Sequence, residues 1–176
     1  MSEPEVYIRR VEKRDRAEFL ELMLASREFH QPWIAPPLTD RAFAHYHART
    51  RRDDHEGLLV CKRNDDHIAG VINVNNVVRG SFLSASLGYY VGAPFVGRGY
   101  MRSGLLLVVD FAFDELGLHR LEANIQPANL RSLKLVADCG FTREGSSEQF
   151  LFIDGRWRDH ERWAITDTRA TLRTPP

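Results

Sequence analysis

The chain has 176 residues, 24 of them basic and 24 acidic, and only two cysteines. That length suits one domain over 1–176 with its own hydrophobic core, and the balanced charge argues against nucleic acid or an anionic membrane as partner. Cys61 and Cys139 lie far apart, with no CxxC and no His-rich spacing, so neither a redox motif nor a metal site is expected.

In chain order, 6–12 (VYIRRVE) reads as a first strand. Residues 14–26 place Phe19, Leu20, Met23 and Leu24 on one helical face. Prolines 32, 36 and 37 forbid a long helix over 27–37. Thr39 reads as the N-cap of a polar helix ending in the basic run RTRR (49–52), a solvated helix end rather than an RNA contact. Strands follow at 57–63 and 67–77, joined by the turn Asn-Asp-Asp, and again at 84–91. Helix 101–116 is apolar nearly all round and is expected to be buried. A strand at 119–126 precedes a short helix over 128–140, where Leu130, Leu133, Val136 and Ala137 recur at helical spacing and Gly140 stands as C-cap. Two last strands, 141–153 and 156–165, meet at an Asp-Gly turn, with Asp159 expected to bond nearby backbone. The order βααβββαβαββ predicts an α/β domain with a mostly antiparallel sheet. No apolar run is long enough for a signal core or a membrane span, so a cytoplasmic chain is expected.

The stretch GAPFVGRGYMRSG (92–104) stands between the 84–91 strand and the buried helix. Glycine is kept where a backbone turns sharply or is closely approached. A strand, a glycine turn and a helix N-terminus together make an anion site, to which Arg98 and Arg102 add charge; a phosphate or pyrophosphate is the expected ligand. The Gly-Lys-Ser/Thr ending of a Walker loop is absent. A dinucleotide fingerprint would need glycine where Arg102 stands, and a parallel βαβ unit rather than an antiparallel meander.

PFVGRG (94–99) resembles the pyrophosphate loop of the GNAT N-acetyltransferases, and PANLRSLKLVADCGFTREG (127–145) resembles that family's following segment. Three stretches, REFHQPWIAPP, LHRLEANIQPANLRS and FLFIDGRWRDH, are similar to its Rim-type branch, the ribosomal-protein N-terminal alanine acetyltransferases. The resemblance implies a GNAT fold: a mixed, mostly antiparallel seven-stranded sheet flanked by about four helices and splayed at strands 4 and 5. It implies transfer of an acetyl group from acetyl-CoA to a primary amine through a ternary complex. The acceptor would be a protein N-terminus, with a ribosomal protein the first candidate. A homodimer is also common among relatives. An antibiotic or polyamine acceptor, or a non-catalytic acyl-CoA-binding module, are the alternatives.

Carried onto this sequence, the resemblance puts the pantetheine arm against backbone near Tyr90 and Val91. It puts the pyrophosphate on amides of Val96, Gly97, Arg98, Gly99, Tyr100, Met101 and Arg102. Asn129 is either a helix cap or a pantetheine ligand. The helix position where many relatives carry an acidic tyrosine is Val136, and Ser132 stands as its substitute near the thiol. Glu122, which alternates along its strand with Asn124 and Gln126, is the candidate base or else a solvated carboxylate. Phe29, Trp33 and Ile34 line the substrate mouth or simply cover the core. His30, His45, His47, His55 and His67 stand in polar settings and are expected to be exposed.

Overall fold

The computed structural model describes residues 5–169. Strand β1 (Val6–Arg10) ends two residues before the expected boundary, where a 3-10 turn leads into α1 (Arg16–Ala25). Asp15 joins the two elements: its carboxylate accepts both Arg9 Nη atoms at 2.8 Å and the Glu12 amide at 2.7 Å. On α1, Phe19 and Met23 are fully buried, but Leu24 is 54% exposed and falls off the apolar face expected for it.

A one-turn helix α2 (Arg27–His30) precedes the proline stretch, in which the Gln31–Pro32 peptide is cis. Thr39 caps α3 (Asp40–Arg49), its Oγ1 accepting the Ala42 amide at 3.2 Å. At the basic end of α3 the Arg49 guanidinium lies over the Tyr46 ring, and Arg52 pairs with Asp54.

Strands β2 (His55–Lys62), β3 (Ile68–Val78) and β4 (Ser84–Val91) form an antiparallel meander. Helix α4 (Tyr100–Asp114) and strand β5 (Arg120–Ile125) come next, then α5 (Leu130–Asp138), β6 (Thr142–Ile153) and β7 (Arg156–Thr166). The seven strands run β1-β2-β3-β4-β5-β7-β6, every neighbour antiparallel except β4–β5.

Helices cover both faces of the sheet, which is why β2 reads as a continuous apolar run, Leu58 to Cys61, with no exposed side. On one face Phe19, Met23, Phe43 and Tyr46 from α1 and α3 pack on Leu59, Cys61, Val71 and Tyr90. On the other, Leu105, Val108 and Ala112 of α4 pack on Leu58, Val60, Ile72, Leu87 and Leu121. Contrary to expectation α4 is not buried all round: Asp110 is exposed and Leu106, Leu107 and Phe111 are only partly covered. The stripe read along α5 is also corrected. Val136 and Cys139 enter the core, whereas Leu130 is 72% exposed and Ala137 is exposed as well.

Helix α4 sits close to the sheet because it presents Gly104 to β2. A Cβ on Gly104 would lie 2.5 Å from Val60 Cγ2. Overpacking of this kind costs about 1–3 kcal/mol, so Gly104→Val is expected to lower stability by that much in urea denaturation.

Candidate active site: a parted strand pair and a glycine loop

Strands β4 and β5 pair only from Ser84↔Arg120 to Leu87↔Ala123; beyond that rung they part. On its other edge β4 stays in regular register with β3 as far as Gly70↔Val91, and the Gly92 amide still donates to Ala69 O at 2.9 Å. In an antiparallel ladder, N–H and C=O of alternate residues point to the same edge. Gly88, Tyr90 and Gly92 therefore face β3, while Tyr89 and Val91 present their backbone groups to the gap. Of the backbone near Tyr90 and Val91 expected to hold an inserted arm, that of Val91 turns to the gap and so does that of Tyr89, whereas the Tyr90 backbone faces β3 and its side chain is core.

Beyond β4 a 3-10 turn (Ala93–Phe95) leads into the loop. Gly97 has φ +72° and Gly99, the N-cap of α4, has φ +81°. A side chain is strained in that left-handed region, which is why both positions are glycine. No side chain caps α4, and the amides of Tyr100, Met101 and Arg102 stand at its first turn, where the helix dipole favours an anion. Arg98 is exposed on the loop and Arg102 half-buried. Val96 is half-buried, Gly97 and Gly99 open to solvent. The arrangement can hold a phosphate by backbone.

On the α4–α5 face of the gap, Asn129 caps α5: its Oδ1 accepts the Ser132 amide at 3.2 Å. The Ser132 hydroxyl lies 2.7 Å from the Tyr89 phenol, a contact the sequence reading did not include. Burial pushes the Tyr89 phenol well above its ordinary value. Protonating a thiolate of pKa about 8.5 from such a phenol runs uphill, so the pair can donate hydrogen bonds but is a poor acid.

Glu122 is drawn toward Arg120. It sits on a paired rung opposite Ser86, and its Oε1 accepts Arg120 Nε at 2.9 Å in a cluster that also holds Glu144. Leu121, Ala123 and Ile125 are buried on the opposite face, as the alternation requires. Glu122, Asn124 and Gln126 share the α1–α3 face, where Gln126 Nε2 donates to Trp33 O at 3.4 Å.

The segment 27–38 closes this face. Ile34 and Leu38 pack on the α1–α3 core, Trp33 and Phe29 are half-buried, and the Arg131 guanidinium lies over the Phe29 ring at 5.6 Å. Between this segment and the β6–β7 turn lies a cavity of about 110 Å³, bordered by His30, Pro32, Ile34, Pro36 and Leu38 and by Ile153 and Asp154. His30 reverses its expected setting: it is 2% exposed, with Nε2 2.8 Å from Val91 O and its ring edge-on to Tyr90. It packs inward because α2 turns its last residue onto β4. The polar letters around it in the sequence carry no signal of this. In the Arg-Asp-His motif, Asp159 Oδ1 accepts the Gln149 amide at 2.8 Å, the backbone role expected of it.

Residues 5–142 match the family model described as an acetyltransferase (GNAT) domain. The chain belongs to the GNAT acetyltransferases. It is an acetyl-CoA-dependent N-acetyltransferase. A probable N-acetyltransferase of Bacillus subtilis, YjcK, is 31% identical over 91% of this chain and 93% of its own. The [ribosomal protein uS5]-alanine N-acetyltransferase of Escherichia coli is 42% identical over 58% of this chain; the match spans about half of that relative, 53%. The solved structure of Mycobacterium smegmatis RimJ in complex with CoA-disulfide superposes with a TM-score of 0.84 at 29% identity, covering 97% of this chain and 85% of the other. Vibrio cholerae spermidine N-acetyltransferase, solved with CoA and spermine, shares the fold at 20% identity over 92% of this chain and 95% of its own, with a TM-score of 0.78. Among the described residues no helix is long and apolar enough to cross a membrane.

A valine at position 99 would force a branched side chain into left-handed backbone at the helix N-terminus. Gly99→Val is expected to abolish acetyl-CoA binding, read by titration calorimetry, while leaving the circular-dichroism spectrum unchanged.

Proposed function

We propose that this acetyltransferase acts on the N-terminal α-amine of a protein, a ribosomal protein being the first candidate, by direct transfer within a ternary complex. The observation that carries the reading is the 42% identity to the alanine N-acetyltransferase, supported by the fit to the CoA-bound RimJ structure. Acetyl-CoA supplies an activated thioester. In this reading the amides from Val96 to Arg102 hold its pyrophosphate, with Arg98 and Arg102 adding charge. Val91 and Tyr89 offer backbone to the pantetheine arm. A gap-facing amide of β4 also stands where it can donate to the carbonyl oxygen as negative charge develops there. Ser132, with Tyr89, lies on the thiol side. Asn129 serves by capping α5 and so fixing Ser132. Phe29, Trp33 and Ile34 shape the mouth through which the acceptor enters, and the cavity beside Ile34 takes its first side chain.

Direct transfer fits the state of the two thiols. Burial raises Cys61 above its ordinary value and pushes Cys139 up to about 11, so neither supplies a thiolate for a covalent acetyl-enzyme. An α-amine is also the easier nucleophile. With a pKa of about 7.7–8.0 it is roughly a fifth to a third neutral near pH 7.4, against about one part in a thousand for lysine.

The spermidine acetyltransferase structure raises a polyamine acceptor as a second reading. The cavity speaks against it, since its border carries one carboxylate, Asp154, balanced by one guanidinium, Arg27. A panel of peptides beginning with Ala, Ser, Thr or Met, run beside spermidine and an aminoglycoside, decides the question. Thiol release on the Ala or Ser peptides, absent in Gly99→Val, is expected. Turnover on spermidine alone would replace this reading with the polyamine one.

Because a thiolate leaves with little assistance, Ser132→Ala is expected to lower kcat less than about tenfold at pH 8. A loss of about 10³-fold would instead make Ser132 a true acid.

A further inference from the structure

Three buried polar side-chain atoms among the described residues have no protein partner: His30 Nδ1, Asn124 Oδ1 and Ser103 Oγ. The first two lie on one face of the sheet, on either side of the gap. Ser86↔Glu122 pairing in a parallel ladder puts Glu122 and Asn124 on the face of the sheet that Ser86, Gly88 and Tyr90 share. The His30 ring packs on Tyr90, on that same face, and its Nε2 reaches Val91 O, which points into the gap. His30 thus stands at the β4 side of the gap and Asn124 at the β5 side, one residue past the last paired rung.

Both orphaned atoms are acceptors. A carbonyl oxygen only accepts, so the bond to Val91 O fixes the His30 proton on Nε2 and leaves Nδ1 with a free lone pair. Burial lowers the His30 pKa below 6.5, which keeps the ring neutral at neutral pH. A buried acceptor without a donor has lost its water and gained nothing in exchange. The group that answers two such acceptors is one that brings two N–H donors, and a primary amine does so.

We propose that His30 Nδ1 and Asn124 Oδ1 receive the N–H groups of the acceptor amine, and that His30 is the base of the transfer. This rests on the acetyl-transfer reading above and deepens it. The amine nitrogen adds to the thioester carbonyl carbon while one of its N–H protons passes to His30 Nδ1. The C–S bond then breaks and the CoA thiolate departs with the electron pair toward Ser132, on the opposite face of the sheet. The His30 proton is lost to solvent when the amide product leaves. Asn124 holds the second N–H and orients the nitrogen. Glu122 is not required, since Arg120, two residues earlier on a closed rung, occupies it.

The test uses the full chain, acetyl-CoA and whichever amine the wild type acetylates. His30→Gln keeps an N–H for Val91 O and removes the base. It is expected to lower kcat by about 10²-fold or more with the acetyl-CoA Kd unchanged. His30→Ala is expected to regain turnover when imidazole is added. Asn124→Leu, which is less exposed to a folding defect because the lost Oδ1 has no hydrogen-bond partner, is expected to raise the amine KM about tenfold. Wild-type kcat in His30→Gln, or no effect of imidazole on His30→Ala, would overturn the assignment while leaving acetyl transfer standing. Wild-type KM in Asn124→Leu would remove the two-acceptor site. A wild-type protein that binds acetyl-CoA yet acetylates no amine overturns the functional reading itself, and this inference with it.

Discussion

A parallel strand pair that parts halfway leaves backbone N–H and C=O groups with no ladder to join, and on β4 those groups belong to Tyr89 and Val91. Buried backbone groups left so cost free energy comparable to a lost hydrogen bond. The chain tolerates this because β3 holds the other edge of β4 in register from Asn75↔Ser86 to Gly70↔Val91, and because helices on both faces fix the two strands from outside. The gap is thus a rigid opening rather than a frayed edge. Its depth is set by the Leu87↔Ala123 rung, and its mouth lies beside the glycine loop that begins α4.

The sheet divides the chemistry between its two faces. Toward α4 and α5 stand Tyr89 and Ser132, joined at 2.7 Å, with Asn129 fixing the serine through its cap. Toward α1 and α3 stand His30, Asn124 and the cavity under the proline segment. In the transfer proposed above, the sulfur side and the nucleophile side of the thioester fall on different faces, so the two sets of groups do not compete. The proline segment matters here as a wall. It cannot coil into a helix, and Trp33 O is tied to Gln126 at the end of β5.

Much of the framework is legible in residue pattern. Thr39 caps the helix its spacing announces, the 84–91 strand ends where read, and Gly97 and Gly99 adopt the left-handed backbone their position implies. What local pattern misses is set by tertiary packing. His30 lies among Glu, Phe and Gln and looks solvated, but α2 folds it onto Tyr90. Leu130 recurs at helical spacing and is exposed because α5 meets the core through Val136 and Cys139 instead. Glu122 points to the face expected for it, but whether a carboxylate is available depends on Arg120 two residues earlier and Glu144 on another strand. Tyr89 is separated from Ser132 by 43 positions, a distance no periodicity spans.

The chemical character of the gap follows from which acceptors it exposes. A site for a multiply charged amine needs fixed negative charge close to the reacting nitrogen, because an ammonium loses its hydration on entry. Here the unpartnered side-chain acceptors flanking the gap, among the described residues, are a neutral imidazole and a neutral amide. The cavity's one carboxylate, Asp154, is 72% exposed at a hairpin turn, where water screens it. Neutral acceptors favour a neutral amine over its ammonium form. That selection costs little for an α-amine, whose pKa lies near neutral pH, and about three pKa units for a lysine or polyamine nitrogen. A weak, uncharged base is sufficient for the first kind of acceptor and inadequate for the second. The parted residues themselves, Gly88 to Val91 on β4 and Asn124 and Ile125 on β5, carry no charged side chain, and the ions on the adjoining rungs, Arg120 with Glu122 and Glu144, are paired with one another.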